Sequence, residues 1–312
     1  MEANDRIDRL TTAVRWAGPA AYIIALALEI HFNGVPWGRA RLIAWIALGL
    51  VLFSLATPRR LPRLVLDWAP LAAILLIYDL LRGYADGLLF PAHTTPQIDA
   101  DQWIFGKPVP TVWLQDHLWH GAHHLHWWDY ASWVVYLSHF VATLVVAASL
   151  WLWAHDKFAR YAQMVCVLAL MGFATYVLFP AVPPWMASSE SYIDHTQRII
   201  GVVWAQIPIG HFSGMFQKGQ RYANNVAAMP SLHAGYSMLI TLYLWSLVPR
   251  WCRVLLVLYP LAMAFALVYS AEHYVIDCLV GWVYAAIAFA GVQLAAARSQ
   301  FASPEPALVE PS

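Results

Sequence analysis

Eight long apolar segments, at about 14–30, 42–57, 64–81, 130–153, 161–180, 231–249, 254–270 and 273–297, leave this chain few folds to choose from. A bilayer core takes roughly 20 apolar residues per helix, fewer where aromatic side chains anchor the ends. Within hydrocarbon every backbone N–H and C=O must be paired inside the protein, so each segment reads as a spanning helix. The second is the shortest, which keeps six or seven spans open beside the expected eight. The prediction is an all-α, polytopic integral membrane helix bundle. Composition agrees: 61% of residues are hydrophobic and 12% charged, against about a quarter charged in a soluble domain. A formal net charge of +0 gives no sign of a nucleic-acid partner. Cys166, Cys252 and Cys278 share no useful spacing, so neither a disulfide framework nor a zinc site is expected.

The first segment is followed by no small-x-small cleavage site and by further spans, so it reads as a span and not a signal peptide. The expected organisation is a cytoplasmic segment over 1–13, one transmembrane catalytic domain over 14–298 and a disordered cytoplasmic tail over 299–312. Orientation follows the distribution of Lys and Arg. With the N-terminus in the cytoplasm, that side receives Arg6, Arg9, Arg15, "PRRLPR" (58–63), Lys157, Arg160, Arg250, Arg253 and Arg298, eleven cations in all. The other side receives Arg39, Arg41, Arg82, Lys107, Arg198, Lys218 and Arg221, seven cations spread over longer loops. The N-in, C-in arrangement is therefore expected, with loops 82–129 and 181–230 outside the cytoplasm.

Two histidine-bearing stretches then stand at extracytoplasmic helix ends. In "SAEHYVIDCLVGW" (270–282), a helix starting near Glu272 puts His273 and Asp277 four apart on one face. A carboxylate there can hold one imidazole nitrogen as N–H and leave the other lone pair aimed outward, as in histidine bases and nucleophiles. An ionisable pair inside a membrane helix is expensive and marks function by default; the bland alternative is a polar pair bracing two helices. In "AAMPSLHAGYS" (227–237), Pro230 suits a first helical turn. Ser231 sets a hydroxyl beside that turn's unpaired N–H groups, a terminus that favours phosphate. His233 follows within one turn; an ordinary helix start with an incidental histidine is the other reading.

Together, "MPSLHAG" and "HYVID" resemble the type 2 phosphatidic acid phosphatase superfamily, whose second and third signatures read Pro-Ser-x-His and His-x-x-x-Asp. The closer likeness is to its inositolphosphorylceramide synthase-like branch, which "YDLLRGYAD" (78–86), "FGKPVP" (105–110), "YLSHF" (136–140) and "FPAVPPWM" (179–186) also resemble. The resemblance runs over about 64–290. It departs from the superfamily in lacking the first signature and in carrying Ala266 and Leu267 where the third has Ser-Arg.

The resemblance implies that His273 attacks phosphorus to form a phosphohistidine, oriented by Asp277, while His233 protonates the leaving oxygen and then activates the acceptor. It implies no metal and no cofactor. The partners it implies are the bilayer, a phospholipid donor, and a lipid or small alcohol, or water, as acceptor. Transfer of an inositol-phosphate-like headgroup to a hydroxylated lipid is the favoured activity. A phosphatase acting on phosphatidic acid or a polyprenyl diphosphate is the alternative, and a bacterial plasma membrane the expected location. For the phosphate's positive partners, Arg82 follows Tyr78 and Asp79 at the outer end of the third span, and Lys218 and Arg221 precede the Pro-Ser-Leu-His turn. A planar guanidinium suits phosphate, which puts Arg82 and Arg221 first; snorkelling or solvation are the competing explanations.

"DHLWHGAHHLHWWD" (116–129) holds five histidines and two aspartates and invites a metal reading. Its equally dense tryptophans favour an amphipathic helix at the headgroup level instead. Glu29, Asp67 and Asp79 are carboxylates within apolar segments, as in transporters and channels. Against a transporter stands the lack of repeated, broken helices; against a non-catalytic lipid binder stands the intact His-His-Asp set.

Overall fold

The computed structural model describes residues 2–33, 39–54, 61–81, 90–207 and 226–302. Each of the eight apolar segments falls on a helix. The helices are α1 (Glu2–Asn33), α2 (Arg39–Ser54), α3 (Leu61–Leu81), α4 (Thr95–Phe105), α5 (Pro110–Leu118) and α6 (Trp127–Trp153). They continue with α7 (His155–Leu178), α8 (Pro184–Ser189), α9 (Ile199–Gln206), α10 (Leu232–Leu244), α11 (Cys252–Tyr269) and α12 (Val275–Ala302). No strand occurs among the described residues. The protein is an all-helical integral membrane bundle. Among the described residues α6, α7, α11 and residues 275–298 of α12 are long and apolar enough to cross a membrane, and Ala44–Phe53 and α10 are shorter apolar helices.

α10 is the hub. It packs against α6, α7, α11 and α12, while α3 lies on α7 and α1 pairs with α2. Small residues set the closest approach. A Cβ on Gly281 of α12 would lie 2.3 Å from the Ser231 carbonyl oxygen, and one on Gly235 of α10 would lie 3.2 Å from the Gly281 carbonyl. Around this seam Tyr161, Met164, Leu168, Leu239, Met263 and Leu267 are fully buried.

With 13 residues, α10 is only about 20 Å long, against about 40 Å for the 27 residues of α6. Its far end is tied to the first turn of α7, where the Tyr243 hydroxyl donates to the Lys157 carbonyl at 2.6 Å. Its near end therefore opens well inside the bundle.

At that end the described parts of both long loops close over the opening. His93, Ala181 and Ala227 run side by side in a short parallel ladder. The loop helices are α4, α5, α8 and α9. The helix expected over 116–129 is corrected: α5 stops at Leu118, and α6 begins at Trp127. His126 is the N-cap of α6, its backbone N–H bonded to Asp129 in a capping box. That cap outcompetes a continuous helix because Asp129 is fully buried and also accepts from the Tyr269 hydroxyl at 2.5 Å.

Candidate active site

The two histidine stretches converge where α10 and α12 begin. Ser231 is the N-cap of α10, its hydroxyl accepting from the Ala234 N–H at 3.3 Å. Pro230 thus stands just outside the helix, two residues before its first position and not in the first turn that the sequence suggests. The Ser231 N–H donates to the Asp277 carbonyl at 2.9 Å, joining the two helix starts directly. His233 sits in the first turn of α10, where its ring stacks on Tyr136 at 4.9 Å between centroids and lies 4.0 Å from His139. The His273 ring is 5.6 Å away.

His273 is placed differently from the sequence expectation. α12 begins at Val275, so His273 lies in the preceding turn, and it does not share a helical face with Asp277. α11 ends in a Schellman-type turn, with Glu272 N–H to Leu267 carbonyl at 3.0 Å and Ala271 N–H to Val268 carbonyl at 3.2 Å. Ala271 takes the left-handed position at φ 60°, a conformation that L residues adopt at a cost. A glycine would be the usual occupant. The imidazole Nδ1 makes its hydrogen bond to the Ala228 carbonyl at 2.8 Å, while the nearer Asp277 oxygen is 3.6 Å away. A carbonyl only accepts, so Nδ1 carries the proton and Nε2 keeps its lone pair. Asp277, with no exposed surface, accepts instead from the Tyr274 N–H at 2.9 Å. Its carboxyl stands close to the ring, and the Ala228 carbonyl fixes the tautomer.

Three further groups hold this turn, and none was singled out from the sequence. Asp101 of α4, fully buried, accepts from the N–H groups of Val275 at 3.0 Å and Ile276 at 2.9 Å. Burial pushes its carboxyl up to about 6 against the pull of those two N–H bonds. Glu272 forms a two-pronged ion pair with Arg198, at 2.7 and 2.8 Å, and the guanidinium lies over the Trp185 ring. Burial would lower the Arg198 pKa, but Glu272 outweighs it and keeps the cation firmly charged. Gln115 of α5 donates to the Tyr269 and Gln197 carbonyls and accepts from the Gln197 N–H. Loop helices thus brace the His273 turn from several sides.

The two helix termini are not equivalent. The first N–H groups of α12 are taken up by Asp101, so a third anion would meet two carboxylates there. At α10 the Ser231 hydroxyl takes up the Ala234 N–H, no carboxylate caps the first turn, and His233 lies within that turn. Electrostatics favour an anion at α10 and disfavour one at α12.

Arg82, Lys218 and Arg221 lie outside the described residues, as do the side chains of Tyr78 and Asp79 near the end of α3. The other membrane carboxylates have local partners: Asp67 accepts from Trp151 at 2.9 Å and lies 3.5 Å from His155, and Glu29 pairs with Asn33 and Arg41. Among the described residues, Asp67 and Glu29 form no chain toward His233. In the histidine-rich stretch, His117 and His120 turn Nδ1 to the Trp113 and Leu118 carbonyls. No group of three or more metal-ligating side chains occurs among the described residues.

A family model described as PAP2 superfamily matches residues 99–291, more than half of the chain. A phosphoinositol dihydroceramide synthase of Bacteroides thetaiotaomicron is 27% identical over 270 residues, covering 83% of this chain and 86% of its own length. The catalytic subunit of inositol phosphorylceramide synthase from Schizosaccharomyces pombe is 27% identical over 170 residues, 53% of this chain and 40% of the relative. No solved structure matches the chain.

Proposed function

The chain belongs to the PAP2 superfamily, and from that premise we propose that it moves an inositol-phosphate-like headgroup from a phospholipid to a hydroxylated lipid through a phosphohistidine. It is a membrane enzyme of the phosphotransferase and phosphatase class, and the activities of both relatives support transfer over hydrolysis. The observation that carries the reading is the pair of imidazoles, 5.6 Å apart, with His273 holding its proton on Nδ1 and its lone pair on Nε2.

In the proposed first step His273 Nε2 attacks phosphorus. The bond to the glycerol oxygen breaks, and His233 gives its proton to that oxygen. In the second step the acceptor hydroxyl loses its proton to His233 and attacks phosphorus, and the P–N bond breaks. Both proton inventories balance, and His233 ends as it began. The work left to the protein is positioning and charge stabilisation. The Ser231 hydroxyl at the start of α10 is proposed as a donor to the phosphoryl oxygens, and Arg82, Arg221 and Lys218, with Tyr78 and Asp79 nearby, remain proposed for the headgroup side. We place the site on the extracytoplasmic face of a bacterial plasma membrane, in one catalytic domain over 14–298 with both termini inside.

The test uses purified protein with phospholipid labelled in the headgroup phosphate, with and without a hydroxylated lipid. A new labelled lipid is expected, with acid-labile label trapped on His273 during turnover. Label released only as a water-soluble phosphate ester would replace transfer by hydrolysis; label trapped on His233 would reverse the assignment of roles.

A further inference from the structure

α6 contributes a third imidazole that neither histidine signature contains. His139 lies twelve residues along the helix from Trp127, about 18 Å by helical rise. Its ring centroid is 4.0 Å from that of His233, with Phe140 at 5.1 Å and Tyr236 at 5.6 Å. His139 Nδ1 is buried and has no hydrogen-bond partner among the described residues. Such a nitrogen is unfavourable in a membrane protein interior unless a partner arrives from elsewhere. The position indicates where that partner comes from. Three turns down a spanning helix, His139 lies against His233, within reach of a lipid whose hydroxyl meets that imidazole.

We propose that His139 is a specificity-determining residue for the acceptor: its Nδ1 bonds a second polar group, hydroxyl or amide, on a lipid whose reacting hydroxyl lies against His233. This rests on the transfer reading above. With ring centroids 4.0 Å apart, two polar groups on neighbouring carbons of the acceptor fit the two imidazoles. No covalent step occurs at His139. It exchanges one hydrogen bond, made when the acceptor enters and lost when the product leaves. A site built to bond such a group rejects the analogue without it, because the buried partner is then left unpaired.

The experiment gives the purified full chain, in mixed micelles with labelled phospholipid donor, two acceptors of equal chain length: a 2-acylamido-1-alkanol and the plain 1-alkanol. Wild type is expected to prefer the amido alcohol at least ~10-fold in kcat/KM. His139→Phe, which keeps a ring without nitrogen, should raise KM for the amido alcohol more than it lowers kcat and should collapse the preference. An unchanged preference, or an equal loss for both acceptors, overturns the inference and leaves transfer standing. A wild type that passes label to neither acceptor overturns both. Should His139→Phe not accumulate as folded protein, two amides decide. Asn places a nitrogen near Nδ1 and Gln near Nε2, so His139→Asn must keep more of the preference than His139→Gln; the reverse order sinks the proposal.

Discussion

At the scale of single residues, the turn around His273 separates two duties that a histidine–aspartate pair usually combines. The Ala228 carbonyl holds the Nδ1 proton, and the fully buried Asp277 carboxyl stands 3.6 Å off. Asp277→Asn should therefore leave the tautomer in place and lose the stabilisation of the developing imidazolium. We expect a large fall in kcat with little change in donor KM, measured by steady-state kinetics on intact lipid donor. His273→Ala should abolish the trapped phosphoenzyme and both half-reactions. His233→Ala should cost at least the ~10²–10⁴ typical of general acid–base catalysis, and a donor with a very good leaving group should restore much of the first step. An active His273→Ala variant would end the phosphohistidine scheme.

Among the elements, the contact between α10 and α12 decides whether the two imidazoles meet. A methyl on Gly281 would sit 2.3 Å from a backbone carbonyl oxygen, which cannot rotate away. Gly281→Ala should destabilise the protein by the upper part of the ~1–3 kcal/mol range of overpacked cores and separate His233 from His273. Gly291→Ala, on the same helix with nothing within 4 Å, is the control. It should be neutral, or stabilising by up to ~1 kcal/mol through helix propensity. Thermal unfolding in detergent compares the two; equal effects would remove the seam from the account.

Asp101 clamps the same helix from α4, and its pH dependence has a definite sign. A carboxyl raised from 3.8 to about 6 favours the folded state in acid; that contribution is full below about 4 and declines as pH rises through about 6. Asp101→Asn lacks this limb, so its deficit in stability against wild type should be larger at pH 4.5 than at pH 7.5. A deficit that grows with pH would contradict the raised value. The apolar runs and the two signatures were legible because each is local: hydropathy needs one helix, and the histidine motifs need a few adjacent residues. Asp101 was not, since its partners are some 174 residues away in sequence and nothing in "QIDADQW" points to them. Arg198 and Glu272 read separately as a loop cation and the start of a helix. The early stop of α5 was hidden too, because the cap that replaces helix over 119–126 depends on Tyr269.

For the whole molecule, the described parts of both long loops gather at the end of the bundle that holds the site, and the charge asymmetry supports the proposal that this end is extracytoplasmic. Single cysteines at Ser189 and Lys157 should then react with an impermeant reagent from opposite sides of sealed vesicles. Reaction of both from one side would refute the proposed topology and span count. The family-level reading came from the sequence because its residues lie in two short motifs; the recess of the site did not, because it depends on how far one helix falls short of its neighbours.

That shortness gives the reaction an electrical coordinate. A helix of about 20 Å in hydrocarbon of about 30 Å leaves its mouth roughly a third of the way in. A phosphodiester anion reaching His233 then crosses a corresponding share of any transmembrane voltage. One charge moved through the full field is worth ~2.3 kcal/mol per 100 mV, so a third of it shifts occupancy about fourfold. An inside-negative potential pushes the anion outward, and proteoliposomes energised by a potassium gradient should show a weaker apparent affinity for donor at unchanged saturated rate. On the proposed topology, the length of α10 would make the hold on an anionic donor a function of how energised the membrane is.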